Sequence, residues 1–309
     1  MKIIRVFPSK TRWTPDDANA VINRAPTWFD EADEIHISVL FKHDISQAYY
    51  LAHQWEKVAP VKLGGVAFDE PGGDFVPGMY VKQGAVITSR GCNNRCWFCS
   101  AWRREGKVRE LPITEGWNVL DDNLLACREQ HVKAVFAMLA IQKQFHRVQF
   151  TGGFEARLLK DWHIDLLLKV KPEQMFFAYD TDDDLEPLVA VSRKLRSAGF
   201  TRRHLRCYVL VGYERDTFRQ AEARLRLTLS LGFNPMAMLY MNERGQRQES
   251  WREFQRVWSR PAIIYIARLI KACHDIHRLS LQCFRKFGRR VLFSLIVFVA
   301  SSTCSMTCF

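Results

Sequence analysis

Residues 89–100 read SRGCNNRCWFCS, and the three cysteines in this stretch decide how the rest of the chain is interpreted. Cys92, Cys96 and Cys99 have the spacing C-x3-C-x2-C, so one short loop can present three thiolates to an iron–sulfur cluster. A cubane cluster contains four irons, and three local ligands leave one iron without a protein donor. An open metal position is typical of catalytic rather than structural metal sites. The spacing therefore predicts a working cluster.

A zinc site and simple burial are the other interpretations of these cysteines. Structural zinc sites usually combine two pairs of ligands, but the next candidates, Cys127 and His131, are not followed by a second pair. Burial explains single cysteines better than three in one short loop. Nearby positive charge should lower the thiol pKa and favour the thiolate. That charge comes from Arg90, Arg95, Arg103 and Arg104. The pattern favours a cluster over both alternatives.

The loop resembles that of the radical S-adenosylmethionine (SAM) enzymes, which share this cysteine spacing. Gly91 precedes the first cysteine, and the aromatic Phe98, expected to shield the cluster, precedes the third. The resemblance implies that a [4Fe-4S] cluster binds the amine and carboxylate of SAM at its open iron. An electron from an external flavodoxin- or ferredoxin-type donor would then cleave SAM to methionine and a 5'-deoxyadenosyl radical. That radical would abstract hydrogen from a substrate that the sequence does not identify.

From residue 84 onward the chain repeats a strand followed by a helix, which predicts an α/β fold. Six repeats match the partial (β/α)6 TIM-like barrel of the resembled family, where chemistry occurs at the carboxyl ends of the strands. The first helix should be short or missing, because few residues separate Glu105 from Trp117 and one of them is Pro112. The predicted strands are Ala85–Ser89, Trp117–Leu120, Arg147–Thr151, Met175–Tyr179, Leu205–Val211 and Met236–Met241.

Residues 1–68 predict a smaller parallel α/β unit in front of the barrel. Turn-forming residues fill 69–83, which we interpret as a linker, and the barrel is expected at 84–245. A helical basic tail with an apolar end is expected at 246–309. In the small unit we predict strands at Ile3–Phe7, Glu34–Phe41 and Val61–Gly65, a helical region over Pro15–Ala32, and a helix from Asp44 to Val58.

The small unit resembles a shortened form of the domain that precedes the barrel in the cobalamin-linked branch of radical SAM enzymes. That branch supplies a cobalt ligand from an Asp-x-His-x-x-Gly motif. Here His36 follows Glu34 and Ile35 and has no glycine at the required place. We therefore do not expect bound cobalamin, and we interpret the unit as a docking or lid remnant.

Three polar residues follow the second predicted strand, where the resembled family contacts the SAM amine. Asp121, Asp122 and Asn123 carry oxygens that can accept hydrogen bonds from an ammonium group. A similar Asp-Asp-Asn occurs in the cobalamin-linked branch. The alternative is that one of them caps the following helix. The resemblance assigns all three to the SAM site.

Later strands end in further candidates. Glu155 and Arg157 follow the third strand and alternate with Phe154 and Ala156. We therefore expect them to pair with each other and with the SAM carboxylate, or else to form a structural ion pair. The resemblance places Asp180, after the fourth strand, near the ribose hydroxyls. It places Gly212, after the fifth strand, beside the adenine, where a glycine permits close backbone approach.

The net charge of +12 raises the question of nucleic-acid binding. Residues 251–309 contribute +8 of it, so the barrel itself does not indicate a nucleic-acid partner. Residues 291–300 are apolar and follow a basic run, which allows membrane contact of the tail. The apolar run is shorter than the ~20 residues that a membrane span needs. We favour a buried or aberrant C-terminal segment.

The remaining features concern location and the competing function. Most of the nine cysteines are scattered, unlike a disulfide framework, and Met1–Phe7 does not look like a signal peptide. Both observations favour a reducing cytoplasm, where thiolates survive.

The competing function is a non-enzymatic iron–sulfur or zinc protein whose basic tail binds nucleic acid or a membrane surface.

Overall fold

The computed structural model describes residues 1–242 and 245–259. The chain divides into two compact units, Met1–Gln255 and Arg256–Phe309, and the second is described only as far as Ser259. Within the described residues, no helix combines the length and apolarity needed to cross a bilayer. The predicted apolar run at 291–300 lies outside the described residues.

Four parallel strands near the N-terminus form the first sheet. Its strands are β1 Ile3–Phe7, β2 Ala20–Ile22, β3 Glu34–Ser38 and β4 Val61–Gly64. The order is β2-β1-β3-β4, so β1 pairs with β2 on one side and with β3 on the other. Helix α1, Ile45–Trp55, lies between β3 and β4 in the chain and buries Leu51 and Trp55 in the core of this sheet. The parallel α/β arrangement predicted for residues 1–68 is present.

The helical region predicted over Pro15–Ala32 is wrong, because β2 lies in the middle of it. The Arg5 N–H donates to the carbonyl of Asn19 at 2.8 Å, and the Asn23 N–H donates to the carbonyl of Phe7 at 2.9 Å. These bonds hold the short apolar run extended against β1 and bury Val21. Pairing with a neighbouring strand here outweighs the local helical pattern, which two prolines already interrupt.

A second sheet contains six strands that are all parallel and follow one another in chain order. All six predicted strands are present, although the first is divided into β5 and β6. In chain order the strands are β5 Ala85–Val86, β6 Ser89–Arg90, β7 Arg109–Glu110, β8 Asn118–Val119, β9 Gln149–Phe150, β10 Gln174–Ala178, β11 Leu205–Val211 and β12 Asn234–Leu239. The six-stranded sheet comprises β5 and β8 to β12, whereas β6 and β7 form an antiparallel hairpin. The α/β fold with parallel sheets is confirmed.

Helices connect most of these strands. They are α2 Ala101–Glu105, α3 Glu129–Gln142, α4 Asp161–Val170, α5 Leu185–Ser197, α6 Phe218–Ser230 and α7 Ser250–Trp258. As predicted, the first is short. Helix α3 shows how they pack: Val132, Val135, Phe136 and Leu139 are buried and share one face of the helix. Because the six strands are parallel, all their carboxyl ends lie at one edge of the sheet, and this edge carries the candidate site.

Candidate functional site

The cysteine loop leaves the six-stranded sheet through the β6–β7 hairpin. Gly91, just after β6, has φ +85°, and a Cβ atom there would lie 2.5 Å from the Lys107 carbonyl oxygen. The Cys92 N–H donates to the carbonyl of Gly106 at 3.1 Å. The two ends of the loop therefore meet at a backbone crossing that only glycine permits at position 91.

Within the loop the three cysteines are partly exposed, and none lies in a disulfide. The Cys99 N–H donates to the Cys96 carbonyl at 3.2 Å, and the Trp102 indole N–H donates to the same oxygen at 2.9 Å. Burial, followed by the neighbouring thiols of Cys99 and Cys92, raises the pKa of Cys96 to about 11. Burial also raises the pKa of Cys99. These shifts oppose the expected lowering of thiol pKa by nearby arginines.

Burial outweighs the nearby positive charge, and two of these arginines, Arg90 and Arg104, face another group. Glu105, buried at the end of α2, accepts hydrogen bonds from Arg104 Nε at 2.9 Å and Arg109 Nη2 at 3.1 Å. Arg90 Nη1 lies 3.8 Å from the same carboxylate. Although burial acts in the other direction, the hydrogen bonds from Arg104 and the Gly72 N–H lower the pKa of Glu105. This ion cluster ties the cysteine loop to the linker instead of polarising the thiols.

Asp121 and Asp122 support the backbone around the loop. Asp121 is buried and accepts three hydrogen bonds: from the Thr88 N–H at 2.7 Å, the Thr88 hydroxyl at 2.6 Å and the Ser89 hydroxyl at 2.7 Å. Asp122 Oδ2 accepts from the Gly91 N–H at 2.8 Å. Both carboxylates therefore fix the approach to Cys92. Neither caps a helix through its side chain.

Asn123 is the residue of this group that contacts the cysteines. Its side-chain amide donates to Cys92 Sγ at 3.4 Å and to Glu155 Oε2 at 2.7 Å. The side chain is buried, and Asn123 Oδ1 has no hydrogen-bond partner among the described residues. A buried acceptor without a partner costs about 1–3 kcal/mol, so a donor is needed at this position.

Glu155 and Arg157 do not pair with each other, and the predicted ion pair is wrong. Arg157 Nη2 donates to the Asp183 carbonyl at 2.8 Å and lies 3.4 Å from Asp184 Oδ1. A short 3-10 helix over Ala156–Leu158 interrupts the alternation that was assumed for a strand. Glu155 therefore turns towards Asn123, while Arg157 turns towards the start of α5.

Asp180 and Gly212 lie at the same edge but have local roles. Asp180 Oδ1 accepts from the Leu210 N–H at 2.9 Å. Burial, followed by the charge of Asp184, raises the pKa of Asp180 to about 7. Gly212 has φ +74°, and a Cβ atom there would lie 2.7 Å from Leu239 Cδ1 and 2.9 Å from Trp251 Cγ. The packing of α7 already requires this glycine.

An aromatic cluster beside the loop was not predicted. The Trp97 ring centroid lies 5.3 Å from that of Phe98, 5.7 Å from that of Tyr213 and 5.4 Å from that of Tyr240. Phe98 therefore packs against Trp97 as part of a larger aromatic group. Trp97 was visible inside the motif, whereas only the fold brings the two tyrosines to it.

The cysteine loop supplies three thiols as possible metal ligands. Within the described residues, no three His, Cys, Asp or Glu side chains converge as ligands of one metal ion. A cubane cluster makes a different demand, because each thiolate binds a different iron. Cys92, Cys96 and Cys99 are three partly exposed thiols on one loop at the carboxyl edge of a parallel sheet, so each could supply one such ligand.

Comparisons with known proteins do not assign the chain to a family. No protein-family model matches the sequence, and no curated protein matches it. A functional interpretation therefore rests on the cysteine spacing and on the contacts described above.

Proposed function

We propose that this protein is a radical SAM enzyme whose [4Fe-4S] cluster is held by Cys92, Cys96 and Cys99. When bound, the cluster and SAM would supply the electron and the 5'-deoxyadenosyl radical that abstracts hydrogen from a substrate. The observation that carries the proposal is the position of Asn123. Asn123 Oδ1 is a buried acceptor with no partner in the part of the chain that the structure describes, and the amide nitrogen of the same side chain donates to Cys92 Sγ.

Three features of the chain would hold the cluster. The backbone crossing at Gly91 fixes the first cysteine, and Asp122 holds the Gly91 N–H. The Asn123 amide donates to Cys92 Sγ, and a hydrogen bond to a cluster sulfur stabilises its negative charge. Phe98 and Trp97 cover part of the loop with apolar surface and limit the access of water.

The SAM amine would bind between Asn123 Oδ1 and the carboxylate of Glu155. An ammonium group donates three hydrogen bonds, and both oxygens accept. Asp180, which is partly exposed at the same edge, would face the ribose hydroxyls. Asp121, Arg157 and Gly212 are outside this proposal, because their contacts are already accounted for by the scaffold.

The finer fold and the partners belong to the same proposal. Six parallel strands in chain order support a partial (β/α)6 barrel, and such barrels place their chemistry in the loops at the carboxyl ends of their strands. The electron would come from an external flavodoxin- or ferredoxin-type donor. We place the protein in a reducing cytoplasm, where exposed thiols remain free to bind iron.

Anaerobic reconstitution with iron and sulfide, followed by dithionite and SAM, tests the proposal. We expect a brown protein that produces 5'-deoxyadenosine, detected by chromatography. Cys96→Ala should abolish both the chromophore and the product. The control is Cys127→Ala, which alters a partly buried cysteine outside the loop and should retain both.

A protein that holds its cluster but does not cleave SAM would defeat the enzyme assignment. Retention of zinc without a brown chromophore would favour the non-enzymatic metal protein. These two results are distinguished by metal analysis of the same sample.

A further inference from the structure

A cavity of about 740 Å³ lies between the first sheet and the cysteine loop. Its lining includes Pro8 after β1, Leu40 after β3 and Gly64 at the end of β4. On the opposite side it reaches Ile87 and Arg90, but it does not include the cysteines. Its volume is within the range of about 300–1,000 Å³ that is typical of small-molecule sites.

The topology of the first sheet makes this position significant. In open parallel α/β sheets, ligands bind outside the carboxyl ends of the strands, at the point where the strand order reverses. Here the order β2-β1-β3-β4 reverses between β1 and β3. The residues that follow these two strands line the cavity, so it occupies the place where the fold predicts a ligand.

One part of the cavity wall is aromatic. Trp13 and Tyr80 both line it, and the Tyr80 hydroxyl is 2.6 Å from His36 Nδ1. The Tyr80 and His36 rings stack, with their centroids 6.0 Å apart. The hydrogen bond and the stacking orient Tyr80. Flat aromatic faces of this kind favour a planar ligand.

Another part of the wall carries cations with free donors. The Arg104 side chain is only 10% exposed, and it uses Nε to bind Glu105. Neither Nη nitrogen of Arg104 has a partner among the described residues. Arg90 gives Nε to the Gly73 carbonyl at 3.1 Å, and its Nη1 is 3.8 Å from Glu105.

The charges around Glu105 do not balance. Arg90, Arg104 and Arg109 surround this one carboxylate, which leaves a local excess of positive charge. The lining also includes the carboxylates of Asp44, Glu70 and Asp74. Glu70 and Asp74 are exposed residues of the linker, where solvent screens their charge, whereas Asp44 is buried and its Oδ1 lies 3.6 Å from His43 Nε2. Buried guanidinium donors are best satisfied by a carboxylate or a phosphate.

We propose that this cavity binds a planar aromatic small molecule that carries a phosphate or carboxylate group. The ring system packs against Trp13 and Tyr80, and the anionic group accepts hydrogen bonds from Arg104 and Arg90. This site is distinct from the proposed SAM site. Its occupation does not require the cluster, so it can be tested on the full chain without iron.

Two pairs of probes test the ligand class and distinguish a nucleotide from an aromatic acid. Flavin mononucleotide and riboflavin share a ring system and differ in the phosphate, whereas 2-naphthoate and 2-naphthamide differ in the carboxylate. Quenching of flavin fluorescence measures the first pair, and equilibrium dialysis measures the second. In at least one pair we expect the anion to bind saturably. Its neutral partner should bind at least ~10-fold more weakly, because it cannot accept the charge-assisted hydrogen bonds.

Variants locate the binding. A Cβ atom at Gly64 would meet no atom within 4 Å, so Gly64→Leu should fill the cavity without displacing the backbone. We expect Gly64→Leu to weaken the binding of both probes, the anion and its neutral partner, at least ~10-fold. Arg104→Gln should weaken binding of the anion at least ~10-fold, but it should weaken binding of the neutral partner less than ~2-fold. Arg103 lies on the same helix but donates to the Trp97 carbonyl. The control variant Arg103→Gln should therefore leave the binding of both probes unchanged.

Thermal unfolding of each variant establishes that it remains folded. The proposal is overturned if neither anion binds saturably, or if each anion and its neutral partner bind equally. It is also overturned if a folded Gly64→Leu protein binds as tightly as the unaltered chain. Because no SAM or iron is present, these results are independent of the radical SAM assignment.

Discussion

The two parallel sheets of this protein use their carboxyl edges differently. The edge of the six-stranded sheet carries thiols, carboxylates and an amide, which lie on the cysteine loop and on the residues after β8. The edge of the four-stranded sheet is lined by glycines and aromatic rings, and arginines reach it from the other side. Topology sets where a ligand can bind, whereas the loops attached to each edge set which chemistry is available there.

The largest expected difference between the edges concerns two glycines. In Gly91→Ala the new Cβ atom meets the Lys107 carbonyl in a left-handed backbone conformation, so we expect a loss of about 2–4 kcal/mol in the free energy of unfolding. The cysteine loop should also lose at least half of its reconstituted iron. Urea unfolding and iron analysis measure the two effects.

The matched control is Gly73→Ala at the cavity. A Cβ atom at Gly73 would meet nothing within 4 Å, and its backbone is outside the left-handed region. We expect a change within about 0.5 kcal/mol and normal iron content. Equal effects at the two glycines would show that the backbone crossing at Gly91 is not what holds the loop.

The two edges also differ in how much of them the sequence revealed. The three cysteines were visible in the sequence because they lie within one short segment, and their role as cluster ligands stays a prediction. The strands of the six-stranded sheet were predictable for the same local reason. The cavity was not, because Trp13, Tyr80 and Arg104 come from separate segments that only the tertiary fold brings together.

Errors in the prediction have the same origin. The strand β2 was missed because its three residues become a strand only when β1 is beside them. Arg157 was paired with Glu155 by assuming that a strand continues, but a 3-10 helix begins at Ala156. Arg90 and Arg104 were expected to act on the thiols, but they contact the buried carboxylate of Glu105 instead.

A smaller effect is expected at Asp121, which ties β8 to the start of the cysteine loop. Asp121→Asn replaces an acceptor of three hydrogen bonds by a group that must also bury two N–H donors. We expect the free energy of unfolding to fall by about 2–3 kcal/mol, measured by urea denaturation. Asp161→Asn, on the surface of α4, is the control and should stay within about 0.5 kcal/mol. A similar small change at Asp121 would contradict its scaffold role.

The smallest effect concerns SAM binding and compares two buried asparagines, Asn118 in β8 and Asn123 after it. Asn123 and Asn118 each have one side-chain amide atom without a partner among the described residues. Only Asn123 contacts Cys92 and Glu155, whereas Asn118 accepts a hydrogen bond from the Thr151 hydroxyl. Asn123→Ala should therefore raise the Kd of SAM for the reconstituted protein about 10-fold, as for one lost hydrogen bond to a charged group.

The same substitution should lower the reduction potential of the cluster, because a hydrogen bond to a cluster sulfur is lost. Asn118→Ala should leave both the Kd and the potential unchanged, even if its stability falls. Isothermal titration and redox titration under anaerobic conditions measure these quantities. Equal changes in the two variants would mean that Asn123 acts through the stability of β8 and not through SAM or the sulfur, and the amine would then have to be held by Glu155 alone.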